Sequence, residues 1–181
     1  MSPQQKYSLP LSRSGWLGAV PSPGGLRFAL PRGHERLKVV RRDAQDFLQA
    51  KARRGRYGVI QVDLYDMHAR GPVLESAEFY RLCEAALAEP GIAVFNLFGE
   101  HASTRRNLRR IRDAFGGRVL MLPVTTAGNL VVLGFKGPPL QVGWPALAAR
   151  ARRLRSRLRL PADEWVGALR RHPGREGGLA V

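Results

Sequence analysis

Three aspartates carry the strongest chemical signal in this sequence: Asp43, and the pair Asp63 and Asp66 in the run Asp63-Leu64-Tyr65-Asp66. Acids are scarce, with 14 Asp plus Glu against 30 Lys plus Arg in 181 residues and a formal charge of +16. Three carboxylates at neighbouring strand ends therefore outline an acidic cleft, suited to a cationic or hydroxyl-rich ligand. A carboxylate within hydrogen-bond reach of an amine can also take its proton. Each aspartate has a plainer role as well: Asp43 can cap a helix, and Asp63 and Asp66 can solvate a loop. His68 and His101 follow strand ends and read as solvated loop histidines. Asn96, at the end of a buried strand, is placed to orient a loop at the cleft. Cys83 lies on the apolar face of a helix with no His nearby in sequence and reads as core rather than nucleophile. As the sole cysteine it forms no intramolecular disulfide. No run has the His, Cys and carboxylate spacing of a zinc site, so no metal is expected.

The elements that must position these residues follow from periodicity and punctuation. Residues 1–27, with Pro3, Pro10, Pro21, Pro23 and four glycines, keep no sustained period and read as an irregular arm with one short strand at most. A short apolar run, Leu37 to Val40, precedes Asp43, which is placed to cap a helix through Ala44, Phe47, Leu48 and Ala52. Tyr57 to Leu64 reads as a buried parallel strand. Ser76 to Ala88 sets Phe79, Leu82, Cys83, Ala86 and Leu87 on one helical face, ended by Pro90 and Gly91. Ile92 to Phe98 is a second buried strand. Ser103 or Thr104 then caps a helix with Leu108, Ile111 and Phe115 inward and its arginines wet, stopped by Gly116 and Gly117. Val119 to Val124 and Leu130 to Phe135 are joined by a link too short for a crossover helix, so they pair antiparallel. The remainder reads as helical: a stripe of Leu147, Ala151, Leu154 and Leu158, then a last helix opened by Pro161, Asp163 and Glu164.

This order predicts an α/β fold with a mainly parallel sheet and an antiparallel edge, where ligands sit at the carboxyl ends of the strands. Three regions are expected: the arm over 1–27, an α/β domain over 28–140, and helices over 141–181 packed on the same domain. The length suits one sizeable core. At 44% apolar and 8% aromatic, wholesale disorder and low-complexity composition are excluded. No run is long and apolar enough for a membrane span or a signal peptide, and the lone cysteine fits a reducing compartment. A cytoplasmic protein with no membrane partner is expected.

Several segments, in order, resemble the spermidine synthase family of aminopropyltransferases: VVRRDAQDFL, YGVIQVDLYD, GPVLESAEFYRLCEAAL, GIAVFNLFG and GNLVVLGF. The resemblance runs from about Phe28 to Arg171 and implies a methyltransferase-like, Rossmann-type fold. It implies transfer of an aminopropyl group from decarboxylated S-adenosylmethionine, a co-substrate, to an amine such as putrescine, with no tightly bound cofactor. By this resemblance Asp63 is the catalytic carboxylate and Asp66 and Tyr80 bind the amine, Tyr80 being equally a packed aromatic. Asp43 and Ala44 contact the adenine, and Gly71 and Pro72 form the loop beside it. The family's acidic pair often reads Asp-Ser-x-Asp-Pro. Here Leu64 and Tyr65 lie between and Met67 follows, so the amine is left unspecified. A homodimer is compatible with the family.

Nothing before Leu37 supplies the first strands and Gly-x-Gly loop of such a fold. The resemblance is therefore to a member truncated at its N-terminus. Residues 8–30 then supply makeshift strands, the sheet closes up directly, or a partner chain completes it. A catalytically weak or inactive homologue, binding a nucleoside or acting as an interaction module, is the alternative. Arg150, Arg153 and Arg157 form one row and Arg152, Arg155 and Arg159 a second, beside the apolar stripe. A third reading, a nucleic-acid binder, rests on these rows and the net charge, and is expected to show only non-specific binding at low salt.

Overall fold

The computed structural model describes residues 9–11, 40, 42–63, 76–98, 102–122, 128–171 and 176–181. The chain divides into two compact units, Met1–Gly137 and Pro138–Val181. The first described element of the first unit is strand β1 (Leu9–Leu11), a short strand in the N-terminal arm where one at most was expected. The expected strand at 37–40 lies outside the described residues except for Val40, which is in no strand and packs against the core. Helix α1 (Ala44–Gln49) follows, with Asp43 as its cap, then a 3-10 turn (Lys51–Arg53) and strand β2 (Tyr57–Val62).

Helix α2 (Ala77–Ala86) begins where Ser76 Oγ accepts from the Phe79 N–H at 3.0 Å. It ends two residues before the expected Ala88, and strand β3 (Leu87–Phe98) starts at once. Partners distant in sequence hold the last carbonyls of α2. The Gly55 and Arg56 N–H groups donate to the Ala85 and Ala86 carbonyls at 3.0 and 2.9 Å. Lys136 Nζ donates to the Glu84 carbonyl at 3.1 Å and lies 3.4 Å from its carboxylate. These bonds satisfy groups that a helix end leaves open, and a cation there favours the helix dipole. Pro90 and Gly91, expected to end the helix, lie within β3 instead. Leu87 pairs with Tyr57 while Ile92 pairs with Val59, so residues 88–91 bulge opposite Gly58.

Helix α3 (Thr104–Ala114) stops at Gly116 and Gly117, both with positive φ, and the Gly117 N–H closes onto the Arg112 carbonyl at 2.8 Å. Strands β4 (Val119–Met121) and β5 (Asn129–Lys136) pair antiparallel, as their short link requires. The sheet order is β1-β2-β3-β5-β4. The α/β class stands, but the sheet is mixed where a mainly parallel one was expected. Among the described residues only β2 and β3 run parallel. The β4–β5 hairpin sends β5 back along β3, and β1 takes the other edge of β2 antiparallel.

One face of the sheet, with Ile60, Val62, Ala93, Phe95, Leu97 and Val132, is buried in the core with α1, α2 and α3. The two main strands are buried on that face only. Val94, Asn96, Val131 and Leu133 on the other face are half-buried, so the strands alternate rather than being covered on both sides. Aromatic rings run through the core: Phe79 meets Tyr80 at 5.9 Å between centroids, Tyr80 meets Phe95 edge-on at 5.3 Å, and Phe95 meets Phe115 edge-on at 5.9 Å.

The second unit holds strand β6 (Gln141–Val142), helix α4 (Trp144–Leu158), helix α5 (Ala162–Arg170) and strand β7 (Leu179–Ala180). It is not wholly helical, because β6 and β7 pair antiparallel. Two residues each, they are too short to carry a strand pattern in sequence. In the expected apolar stripe of α4, Ala151 is buried and Leu147 and Leu154 half-buried, but Leu158, in the last turn, is 60% exposed.

Candidate functional site

The parallel pair β2/β3 determines where the site lies. Val62 is level with Phe95, so the next residues, Asp63 and Asn96, come level at the carboxyl end of β2. Asn96 Nδ2 donates to Asp63 Oδ1 at 3.1 Å. Asp63 is exposed and Asn96 half-buried, and the amide oxygen of Asn96 is buried with no hydrogen-bond partner among the described residues. The amide holds one carboxylate oxygen in a fixed direction. The second oxygen, Oδ2, has no donor among the described residues and can accept from a cationic or protonated ligand.

Asp43 occupies the cap of α1, where its Oδ1 accepts from the Gln45 N–H at 2.8 Å and the Asp46 N–H at 3.2 Å. The plainer role foreseen for it is therefore realised. Ala44 is fully buried, backbone and side chain alike. Ser76 Oγ donates to Gln45 Oε1 at 3.5 Å, so the first turns of α1 and α2 meet. Tyr80 is 1% exposed and stands edge-on to Phe95 inside the core. Its ring is packed, whereas Asp63 is exposed. Asp66, Gly71 and Pro72, with His68 and His101, lie outside the described residues.

Sequence reasoning missed a buried polar cluster where β3 passes into α3. Thr104 Oγ1 donates to the Phe98 carbonyl, and Asn107 Nδ2 donates to Ser103 Oγ at 3.2 Å. Ser103 stands at the cap position, but its hydroxyl serves Asn107 rather than a backbone N–H. The signal was there: Asn107, Ile111 and Phe115 share one helical face, so Asn107 had to be inward and hydrogen-bonded. The cluster fastens the start of α3 to the strand that carries Asn96.

Cys83 is fully buried, and that burial pushes its thiol far above the ordinary range, so it stays protonated and inert. Among the described residues no three His, Cys, Asp or Glu side chains are grouped to hold a metal ion. Nor is any of their helices long and apolar enough to cross a membrane.

No family model matches the chain. A polyamine aminopropyltransferase from Chromobacterium violaceum is 32% identical over 143 residues, covering 79% of this chain and 54% of that protein. One from Neisseria meningitidis serogroup A is 29% identical over 143 residues, with the same coverage of 79% and 54%. The chain thus spans about half the length of the curated relatives it matches. Among solved structures, a probable spermidine synthase from Corynebacterium glutamicum is similar in fold, with a TM-score of 0.52 and 22% identity over 70% of this chain and 47% of that one.

Proposed function

We propose, for a chain that belongs to the spermidine synthase family over the part of its relatives that it matches, transfer of an aminopropyl group from decarboxylated S-adenosylmethionine to an amine such as putrescine. The observation that carries this reading is the Asp63–Asn96 pair: a carboxylate held on one oxygen and open on the other, at the carboxyl end of a parallel strand pair. An alkylammonium has a pKa near ~10, like lysine, and is almost wholly protonated at neutral pH. Asp63 takes that proton and holds the nitrogen in line with the carbon beside the sulfonium. The nitrogen forms a bond to that carbon, the carbon–sulfur bond breaks, and its electron pair leaves on sulfur as methylthioadenosine. Asp66 anchors the amine by a charge-assisted hydrogen bond. The resemblance puts Asp43 and Ala44 beside the adenine, with Gly71 and Pro72 next to them. Tyr80 acts from within the core, supporting Phe95 in the strand that carries Asn96. Soluble small molecules are then the partners, with no tightly bound cofactor, and the cytoplasm is the compartment that suits them.

Release of methylthioadenosine from decarboxylated S-adenosylmethionine and putrescine, followed chromatographically, tests this. Asp63→Asn should lower the rate by ~10²–10⁴-fold, the range for loss of a general base. Wild type and Asp63→Asn releasing product at the same background rate would remove the enzymatic reading. If methylthioadenosine still bound, a nucleoside-binding module would remain.

A further inference from the structure

We propose that the exposed row Arg150, Arg153 and Arg157 on α4 is a docking surface for the phosphodiester backbone of a nucleic acid. Helix α4 and its C-cap carry six arginines, all exposed: this row, and Arg152, Arg155 and Arg159 on the other flank of the buried stripe. No Asp or Glu occurs between Asp113 and Asp163. Among the described residues only Arg155 of the six has a carboxylate partner, Asp163. Like charges three and four residues apart destabilise a helix, and both rows are built of such neighbours. A polyanion lying along the row removes that repulsion. Each planar guanidinium can grip a phosphate through two parallel hydrogen bonds, and the side chains of one row stand about 5–6 Å apart at Cβ, a ladder for successive phosphates.

The exposed faces of α4 favour this partner over an anionic membrane. A helix that lies in a membrane surface inserts its apolar face between the lipids. In α4 most of that face is already used: Trp144 and Ala151 are buried, Leu147 and Leu154 are half-buried, and of the stripe Leu158 alone, in the last turn, is exposed.

The test is fluorescence anisotropy of a labelled duplex of ~20 base pairs titrated with the full chain at 50 to 200 mM salt. The triple change Arg150→Gln, Arg153→Gln and Arg157→Gln should weaken binding at least tenfold at 50 mM. It should also flatten the log-log salt slope by about 2.7, three contacts at ~0.9 each. Arg105→Gln, Arg109→Gln and Arg112→Gln on α3 remove the same charge and should weaken binding less than threefold. Should the first triple not fold by circular dichroism, the single reversal Arg153→Glu replaces it, with at least a fivefold loss expected. Four results would overturn the proposal: no binding by wild type at 50 mM, equal losses in the two triples, an unaltered affinity in Arg153→Glu, or binding to phosphatidylserine vesicles without binding to the duplex. In the last case Leu158, Leu160 and Trp165, the exposed apolar residues of this unit, would be the anchor.

Discussion

Replacing Gly134 with Ala should destabilise the first unit, although alanine is the better residue for an ordered chain. A Cβ at Gly134 would stand 2.8 Å from three atoms of the Phe115 ring, Cγ, Cδ1 and Cδ2. Carbon atoms pack at about 3.5–4.0 Å, so the ring must retreat by roughly 0.7 Å or more. It has nowhere to go: Phe115 is 2% exposed and abuts Phe95, which abuts Tyr80. Overpacking of this kind costs about 1–3 kcal/mol. Against it stands ~0.4–1 kcal/mol gained because alanine stiffens the unfolded chain, for a net loss of about 1–2 kcal/mol. Gly58 in β2 is the control, since a Cβ there meets nothing within 4 Å and its φ is not positive. Gly58→Ala should gain the ~0.4–1 kcal/mol without the clash. Urea unfolding followed by circular dichroism should separate the two variants by about 2 kcal/mol. Thermal melts should move in opposite directions at roughly 2–4 °C per kcal/mol. Phe115→Leu combined with Gly134→Ala should cost at least ~1 kcal/mol less than the sum of the single changes. A neutral Gly134→Ala, or strict additivity with Phe115→Leu, would refute the steric argument.

Two further expectations follow from single side chains. Asp43→Ala should cost ~1 kcal/mol through loss of the α1 cap while Asp43→Asn retains most of it; equal losses in melting experiments would mean that the cap is not what Asp43 contributes. Cys83 should resist thiol reagents until the chain unfolds. Because burial keeps its thiol protonated while the unfolded thiol ionises near ~8.5, the folded state holds one proton more above that pH. The stabilisation is full below about pH 8 and declines as pH rises, approaching ~1.4 kcal/mol per unit from this group. Urea titrations from pH 8 to 10 check this, since Cys83→Ala should show the shallower decline, and identical slopes would contradict the assignment.

What the amino-acid order determined by itself was everything that short-range geometry decides. Asp43 before an apolar-periodic run had to cap, the paired glycines 116 and 117 had to stop α3, and the brief link after Val124 could only return the next strand antiparallel. Cys83, at helical spacing from Phe79, had to face the core. Asp63 was legible as a candidate for a site because a strand ended beneath it, and so was Asn96, but not their hydrogen bond. That bond depends on the β2/β3 register, which the bulge at residues 88–91 resets. The end of α2 was illegible for a similar reason: its last carbonyls are taken by Gly55, Arg56 and Lys136, and no local preference at Ala86 announces partners so distant along the chain. Tyr80 shows the limit most plainly. Its type suits a ligand site as well as a core, and only the tertiary structure shows its ring packed edge-on against Phe95. Periodicity says which side of a helix turns inward, whereas what waits there is decided by elements that arrive from elsewhere in the chain.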